Sequence, residues 1–122
     1  IMKGDTELGG ENATIDMEEL RGIMGGDDEL LEECLEDFVG DYPEMLGSIK
    51  DAIDAGDPAA LNKSAHAFKG TLKYLAAGEA ADVAFQLERM GKDENLDGAD
   101  ETYRLLVEAC ERMKGFIGNI QL

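Results

Sequence analysis

His66, Lys69 and Gly70 are the residues of this chain whose types and spacing indicate chemistry. His66 is the only histidine among the 122 residues, and a lysine and a glycine follow it three and four positions later. In a helix, residues at these separations are neighbours on the surface, so the imidazole would lie beside a positive charge and a position without a side chain. A neutral imidazole is a good nucleophile near neutral pH and can hold a phosphoryl group as a phosphoramidate. The three residues are therefore typical of a histidine that accepts a phosphoryl group from a bulky donor.

The helix that carries His66 is predicted to bury the opposite side. Its core stripe is expected to consist of Leu61, Ala65, Phe68, Leu72 and Leu75. At about 100° per residue, His66 lies roughly 140° from the centre of this stripe. A single histidine in a helix is most commonly an ordinary surface or core residue without a chemical role. The helical geometry excludes a core position for His66, and we therefore expect the imidazole to face outward.

The charge around the histidine differs from that of the rest of the chain. There are 28 acidic and 11 basic residues, and the formal net charge is −17. Residues 16–57 contain fifteen acids and two bases, whereas residues 58–77 contain three lysines and no acid. A small cationic surface in an acidic chain favours the arrival of an anionic group. Gly70 also indicates that another molecule binds here. A glycine inside a helix costs roughly 1 kcal/mol relative to alanine, and the close approach of another molecule would explain why a glycine is present.

Composition restricts the remaining function classes. Such an acidic chain is expected to repel nucleic acid and anionic membranes, and no apolar run reaches the roughly 20 residues of a membrane span. An apolar content of 43% is enough for one modest core. We expect a tail or linker at residues 1–13, which are glycine-rich and polar, followed by one domain at residues 14–122. We further expect a cytoplasmic monomer.

The spacing of apolar residues predicts five helices and no strand. They are expected at about 16–24, 27–55, 58–77, 79–90 and 99–117. Aspartates at positions 16, 27 or 28, and 57 are expected to cap the first three. Gly78 is expected to end the third helix and Gly91 the fourth, and Pro43 to kink or locally break the second. Four long amphipathic helices with short connections favour an all-α, antiparallel up-down-up-down four-helix bundle with a short additional N-terminal helix.

The two cysteines are predicted to be buried free thiols. Cys34 belongs to the apolar stripe of the second helix, which runs from Leu30 to Ile53, and Cys110 belongs to that of the fifth. They are far apart and form no C-x-x-C pair, so neither a disulfide nor a metal site is indicated.

The run His66-Ala67-Phe68-Lys69-Gly70 resembles the motif of the histidine-containing phosphotransfer domains of bacterial and fungal phosphorelays. In that family a histidine, any two residues, a lysine and a glycine lie on the second helix of a four-helix bundle. The similarity extends over roughly residues 15–117. Segments 26–31, 38–43, 55–57 and 87–91 also resemble family positions.

The resemblance implies roles for four residues. His66 would be the phosphorylated residue, Lys69 would stabilise the phosphoryl oxygens, and Gly70 would keep the site accessible. Glu88 falls where many members have a glutamine or glutamate that hydrogen-bonds the imidazole and orients the ring. Ala76 stands where many members have a glycine.

The resemblance also implies a function and partners. The domain would be a phosphorelay carrier without catalytic turnover of its own. It would accept a phosphoryl group from a receiver-domain aspartate or a histidine kinase and pass it to the aspartate of a response-regulator receiver. Mg²⁺ would be bound by the receiver, and this chain would hold no metal or cofactor.

Three alternatives remain open from the sequence. A phosphoacceptor domain of the chemotaxis-kinase type carries the same motif but receives the group from a kinase domain of its own protein. A helical interaction module without chemistry would tolerate replacement of His66. Residues 93–98 also match the first six positions of a calcium-binding EF-hand loop, but the twelfth position, normally a bidentate glutamate, is Arg104. A polar loop between two helices is expected there instead.

Overall fold

The computed structural model describes residues 14–120, and all regular structure within that range is helical. The helices are α1 (Met17–Ile23), α2 (Asp28–Asp54), α3 (Pro58–Tyr74), α4 (Gly78–Lys92) and α5 (Ala99–Asn119). The all-α prediction is confirmed, whereas the tail expected at residues 1–13 lies outside the described residues. Across the described part of the chain, no helix combines the length and the apolar character that a membrane span needs.

Helices α2 to α5 pack around one core. Each contacts the next along the chain and α5 returns to α2, so the four form a closed ring of neighbours, with α1 packed on α2. The predicted inner face of α3 is buried along its whole length, and Phe68 at its centre stacks on Phe38 of α2 with ring centroids 6.3 Å apart. This arrangement is a helical bundle. The up-down-up-down order remains an expectation from the short connections.

Three helices begin at an aspartate, as the sequence predicts. The carboxylates of Asp16, Asp27 and Asp57 each accept the backbone N–H three residues later, at 3.0, 3.0 and 3.1 Å. Each bond satisfies an amide that has no partner inside the helix. In α3, Pro58 follows the cap at the first helical position, where its missing N–H is harmless.

The end of α3 differs from the prediction. The helix ends at Tyr74, three residues before the predicted end, and Gly78 is the first residue of α4 rather than a stop signal. The turn is made by Ala76, whose φ of 57° lies in the left-handed region that a residue with a Cβ rarely adopts. Its carbonyl oxygen accepts the N–H of Asp16 at 2.9 Å, so a contact with the start of α1 accompanies this turn.

Gly91 was also predicted wrongly as a helix end, because α4 continues to Lys92 and Gly91 is buried inside it. A Cβ at this position would lie 2.5 Å from the backbone nitrogen of Asn62 and 2.6 Å from the carbonyl oxygen of Pro58, both on α3. Gly91 therefore allows the backbones of α3 and α4 to approach closely.

The predictions for α2 differ from the structure in three smaller respects. It continues through Pro43, so of the two predicted outcomes the local break is wrong and the kink stays a prediction. Leu30 is 40% exposed, because it lies about 100° around the helix from the buried Leu31. Both cysteines are free, but only Cys110 is fully buried, while Cys34 is partly buried.

Candidate functional site

His66 lies on the outer face of α3. Its side chain is 67% exposed, although Ala65 beside it is completely buried. The change from buried to exposed between adjacent residues follows from the helical repeat, which places them about 100° apart. The imidazole therefore lies on the side that the sequence predicts, open to a partner.

One carboxylate on α4 connects the histidine to the lysine. Glu88 Oε2 lies 3.1 Å from His66 Nδ1, and Glu88 Oε1 lies 2.7 Å from Lys69 Nζ. The Lys69 and Glu88 side chains are only 16% and 17% exposed, so their ion pair is largely shielded from solvent. The close approach of α3 and α4 makes this bridge possible. A further contact joins the two helices here, because Asn62 donates its side-chain N–H to the backbone carbonyl oxygen of Glu88 at 2.9 Å.

The surroundings of Glu88 favour its ionised form. The Lys69 ammonium against the carboxyl group lowers the pKa of Glu88 below its ordinary value; partial burial opposes this effect, and the His66 hydrogen bond adds to it. Oε1 is sealed from solvent and has no well-aligned hydrogen bond, so its contact with Lys69 is best described as a close ion pair.

This ionisation determines the roles of the two ring nitrogens of His66. An ionised carboxylate only accepts hydrogen bonds, so Nδ1 must carry the proton and donate it to Glu88 Oε2. In the neutral ring, Nε2 then has a free lone pair. The neutral His66 ring thus presents one unprotonated nitrogen, Nε2, on an exposed side chain.

Gly70 leaves the surface beside the imidazole open. It is exposed, and a Cβ built at this position would meet no atom within 4 Å, apart from its chain neighbours and the backbone of its own helix. Lys63 and Lys73 are also exposed on α3. The structure therefore brings His66, Lys69 and Glu88 into contact, and places Gly70 next to them as free space.

Two residues of α4 near the site were not predicted from the sequence. Phe85 is 43% exposed, and Lys69 Nζ lies 4.9 Å from the centre of its ring. Arg89 Cζ lies 5.8 Å from the same ring. The available signal was spacing: Phe85 precedes Glu88 by three positions, which makes the two residues neighbours on a helix surface.

The loop at residues 93–98 has the polar character expected for a helix connection. The Asn95 side-chain oxygen accepts the backbone N–H of Asp97 at 3.1 Å, and Arg104 lies within α5. Within residues 14–120, no group of three or more His, Cys, Asp and Glu side chains is arranged to hold a metal ion.

One comparison with known proteins identifies a family and another identifies a fold. Residues 33–116 match the family model described as the Hpt domain. Among solved structures, the chain is similar to histidine-containing phosphotransfer protein B (HptB) from Pseudomonas aeruginosa PAO1, with 24% sequence identity, a TM-score of 0.82, and coverage of 88% of this chain and 94% of that chain. At this identity the likeness shows the fold. Among functionally curated proteins, none matches significantly.

Proposed function

This chain belongs to the Hpt domain family, whose members carry phosphoryl groups on histidine in two-component signalling, and we propose that His66 Nε2 is its phosphoacceptor. The donor is the phosphorylated aspartate of a receiver domain or a histidine kinase. The acceptor is the aspartate of a response-regulator receiver. The observation that carries the proposal is the contact of Glu88 with Nδ1, which in the neutral ring makes Nε2 the unprotonated nitrogen on a side chain that is 67% exposed.

The transfer step follows from these protonation states. The Nε2 lone pair attacks phosphorus, the bond between phosphorus and the aspartyl oxygen breaks, and the aspartate leaves as a carboxylate with the electron pair. The proton stays on Nδ1, where it is hydrogen-bonded to Glu88. The positive charge that forms on the ring therefore lies 3.1 Å from an anionic oxygen, and that charge is stabilised as it develops.

Lys69 and Gly70 serve the incoming group. Phosphoryl transfer depends mainly on positioning and on stabilisation of charge at the phosphoryl oxygens. Lys69 supplies the cation, and Glu88 holds it in place until the group arrives. Gly70 lets the donor approach the ring. Mg²⁺ belongs to the partner receiver, where it neutralises phosphate charge, and this domain carries the group without turnover of its own.

The first experiment tests the acceptor. Incubation with a phosphorylated receiver domain and Mg²⁺ should label the chain on His66, with the acid lability and base stability of a phosphoramidate. A His66→Gln variant should remain folded, because the side chain is mostly exposed, and should remain unlabelled. Labelling of that variant would refute the assignment. Labelling by a kinase domain but by no receiver would favour the chemotaxis-kinase alternative.

A second arm of the same assay tests the cation. Lys69→Ala should slow labelling by at least about an order of magnitude, since charge stabilisation at a transferring group is typically worth a few kcal/mol and about 1.4 kcal/mol is tenfold in rate. Lys73→Ala is the matched control, because Lys73 is an exposed lysine on the same helix. Equal slowing in both variants would show that general surface charge acts instead of Lys69.

A further inference from the structure

Phe85 is a large aromatic residue that the fold leaves 43% exposed at the edge of the site. An exposed phenylalanine adds little to the core, and the inner face of α4 is formed by other residues, among them Ala84 and Leu87, which are completely buried. Its ring, however, lies against the Lys69 ammonium, one of the charged groups of the site. This contact is the feature that the proposed phosphoacceptor role does not explain.

The Lys69 ammonium lies between two groups of α4. Nζ is 4.9 Å from the centre of the Phe85 ring and 2.7 Å from Glu88 Oε1. A lysine side chain has several rotatable bonds and loses much rotamer freedom when it is held, yet Lys69 is only 16% exposed. The ring attracts the cation through its negative face and helps to exclude water, which strengthens the ion pair with Glu88.

We infer that Phe85 is a positioning residue that holds the Lys69 ammonium in place for the phosphoryl group on His66; this inference rests on the proposed function. Phe85 does not touch the reacting atoms. Its effect passes through Lys69, because a cation that is already in position needs no reorganisation when the phosphoryl oxygens arrive. Arg89, 5.8 Å from the same ring, extends the cationic surface on the α4 side.

The contact itself can be tested without any phosphorylation. The ε-methylene protons of Lys69, assigned by comparison with Lys69→Ala, should be shifted upfield by the Phe85 ring current in the unmodified protein. The shift should persist in Phe85→Tyr, which keeps an aromatic face, and disappear in Phe85→Leu, which keeps only apolar bulk. Unshifted ε-methylene protons in the wild-type chain would overturn the inference.

The consequence for transfer is tested by single-turnover labelling at several concentrations of phosphorylated receiver. Phe85→Leu should lower the maximal rate by about threefold to tenfold, in line with a partly desolvated cation–π contact, and should leave the half-saturating concentration unchanged. Phe85→Tyr should transfer at nearly the wild-type rate. In a Lys69→Ala background, Phe85→Leu should cause no further loss, since the two residues act as one unit.

Two outcomes separate this inference from the proposed function. A change in the half-saturating concentration alone would make Phe85 a docking contact and overturn the positioning role, while labelling of His66 would still support the function. A ring-current shift without labelling of His66 would refute the function while the contact stands. Leu105→Ala is the control, because it removes a similarly exposed apolar residue from α5 and should alter neither measurement.

Discussion

At the scale of single residues, Glu88 has more influence on the site than its position on a neighbouring helix suggests. Its two oxygens contact a ring nitrogen of His66 and the ammonium of Lys69. The first contact determines which nitrogen carries the proton, and the second holds the cation. Under the proposed function, one carboxylate therefore prepares both the nucleophile and the charge that stabilises the transferred group.

This arrangement makes stability depend on pH in a defined direction. Because the pKa of Glu88 is lowered in the fold, its ion pair stabilises the protein above the ordinary glutamate pKa, and this stabilisation is lost as the pH falls through the lowered value. Glu88→Gln should therefore reduce the free energy of unfolding at pH 7 by about 1 kcal/mol. The difference from wild type should shrink in strongly acidic buffer.

Denaturant unfolding at pH 7 and at acid pH measures this difference. Glu108→Gln is the matched control, because Glu108 is exposed on α5 and has no hydrogen bond or ion pair with the described residues. If Glu88→Gln lost the same stability at every pH, the loss would come from packing and not from the carboxylate charge.

At the scale of helices, sequence-based prediction succeeded where the signal is local. The starts of α1, α2 and α3 depend on an aspartate that bonds an amide three residues away, and this pattern is visible in the sequence. The end of α3 is accompanied by a distant contact instead. Ala76 adopts a glycine-like conformation with its carbonyl bonded to Asp16, and no short-range pattern announces this.

The candidate site shows the same division. The spacing from His66 to Gly70 and the resemblance to a family indicated His66, Lys69, Gly70 and Glu88, since three of these residues lie within one helical turn and a half. The role of Phe85 requires the relative placement of α3 and α4, which sequence spacing alone does not provide. That placement depends on the close backbone approach at Gly91.

Gly70 and Gly91 should therefore respond in opposite ways to the same substitution. Gly70→Ala should raise the free energy of unfolding by roughly 1 kcal/mol, because alanine is the better helix former and its Cβ meets no atom within 4 Å beyond its local helix. Gly91→Ala should lower it by about 1–3 kcal/mol, the usual cost of overpacking. The cause is a Cβ forced to within 2.5 Å of the Asn62 backbone nitrogen.

Thermal or denaturant unfolding of the two variants tests this contrast. Gly115→Ala in α5 is the control, since its Cβ would also have open space inside a helix, and it should behave like Gly70→Ala. A stable Gly91→Ala variant would mean that α3 and α4 can separate at little cost. Its labelling rate at His66 should then fall, because the contact between Glu88 and His66 spans these two helices.

At the scale of the whole molecule, the exposed His66 lies on the surface and the ring of helices closes the core. The two cysteines differ in the same way, because Cys110 is buried in the core and Cys34 is only partly buried. Burial raises the pKa of the Cys110 thiol to about 12, and the side chain is completely buried. The pKa of Cys34 is also raised, mainly by burial and further by Asp37 and Glu33, but its side chain is partly exposed.

Cys110 should therefore report global unfolding, because the thiolate is the reactive form and a fully buried core group is exposed only when the domain opens. In a Cys34→Ala variant, the labelling rate of Cys110 by a thiol reagent should rise with denaturant along the slope of equilibrium unfolding. In a Cys110→Ala variant, Cys34 should react from the native state at a rate nearly independent of denaturant below the transition. Fast labelling of Cys110 that did not depend on denaturant would show that the core opens locally, and that the helices around the site do not unfold as one cooperative unit.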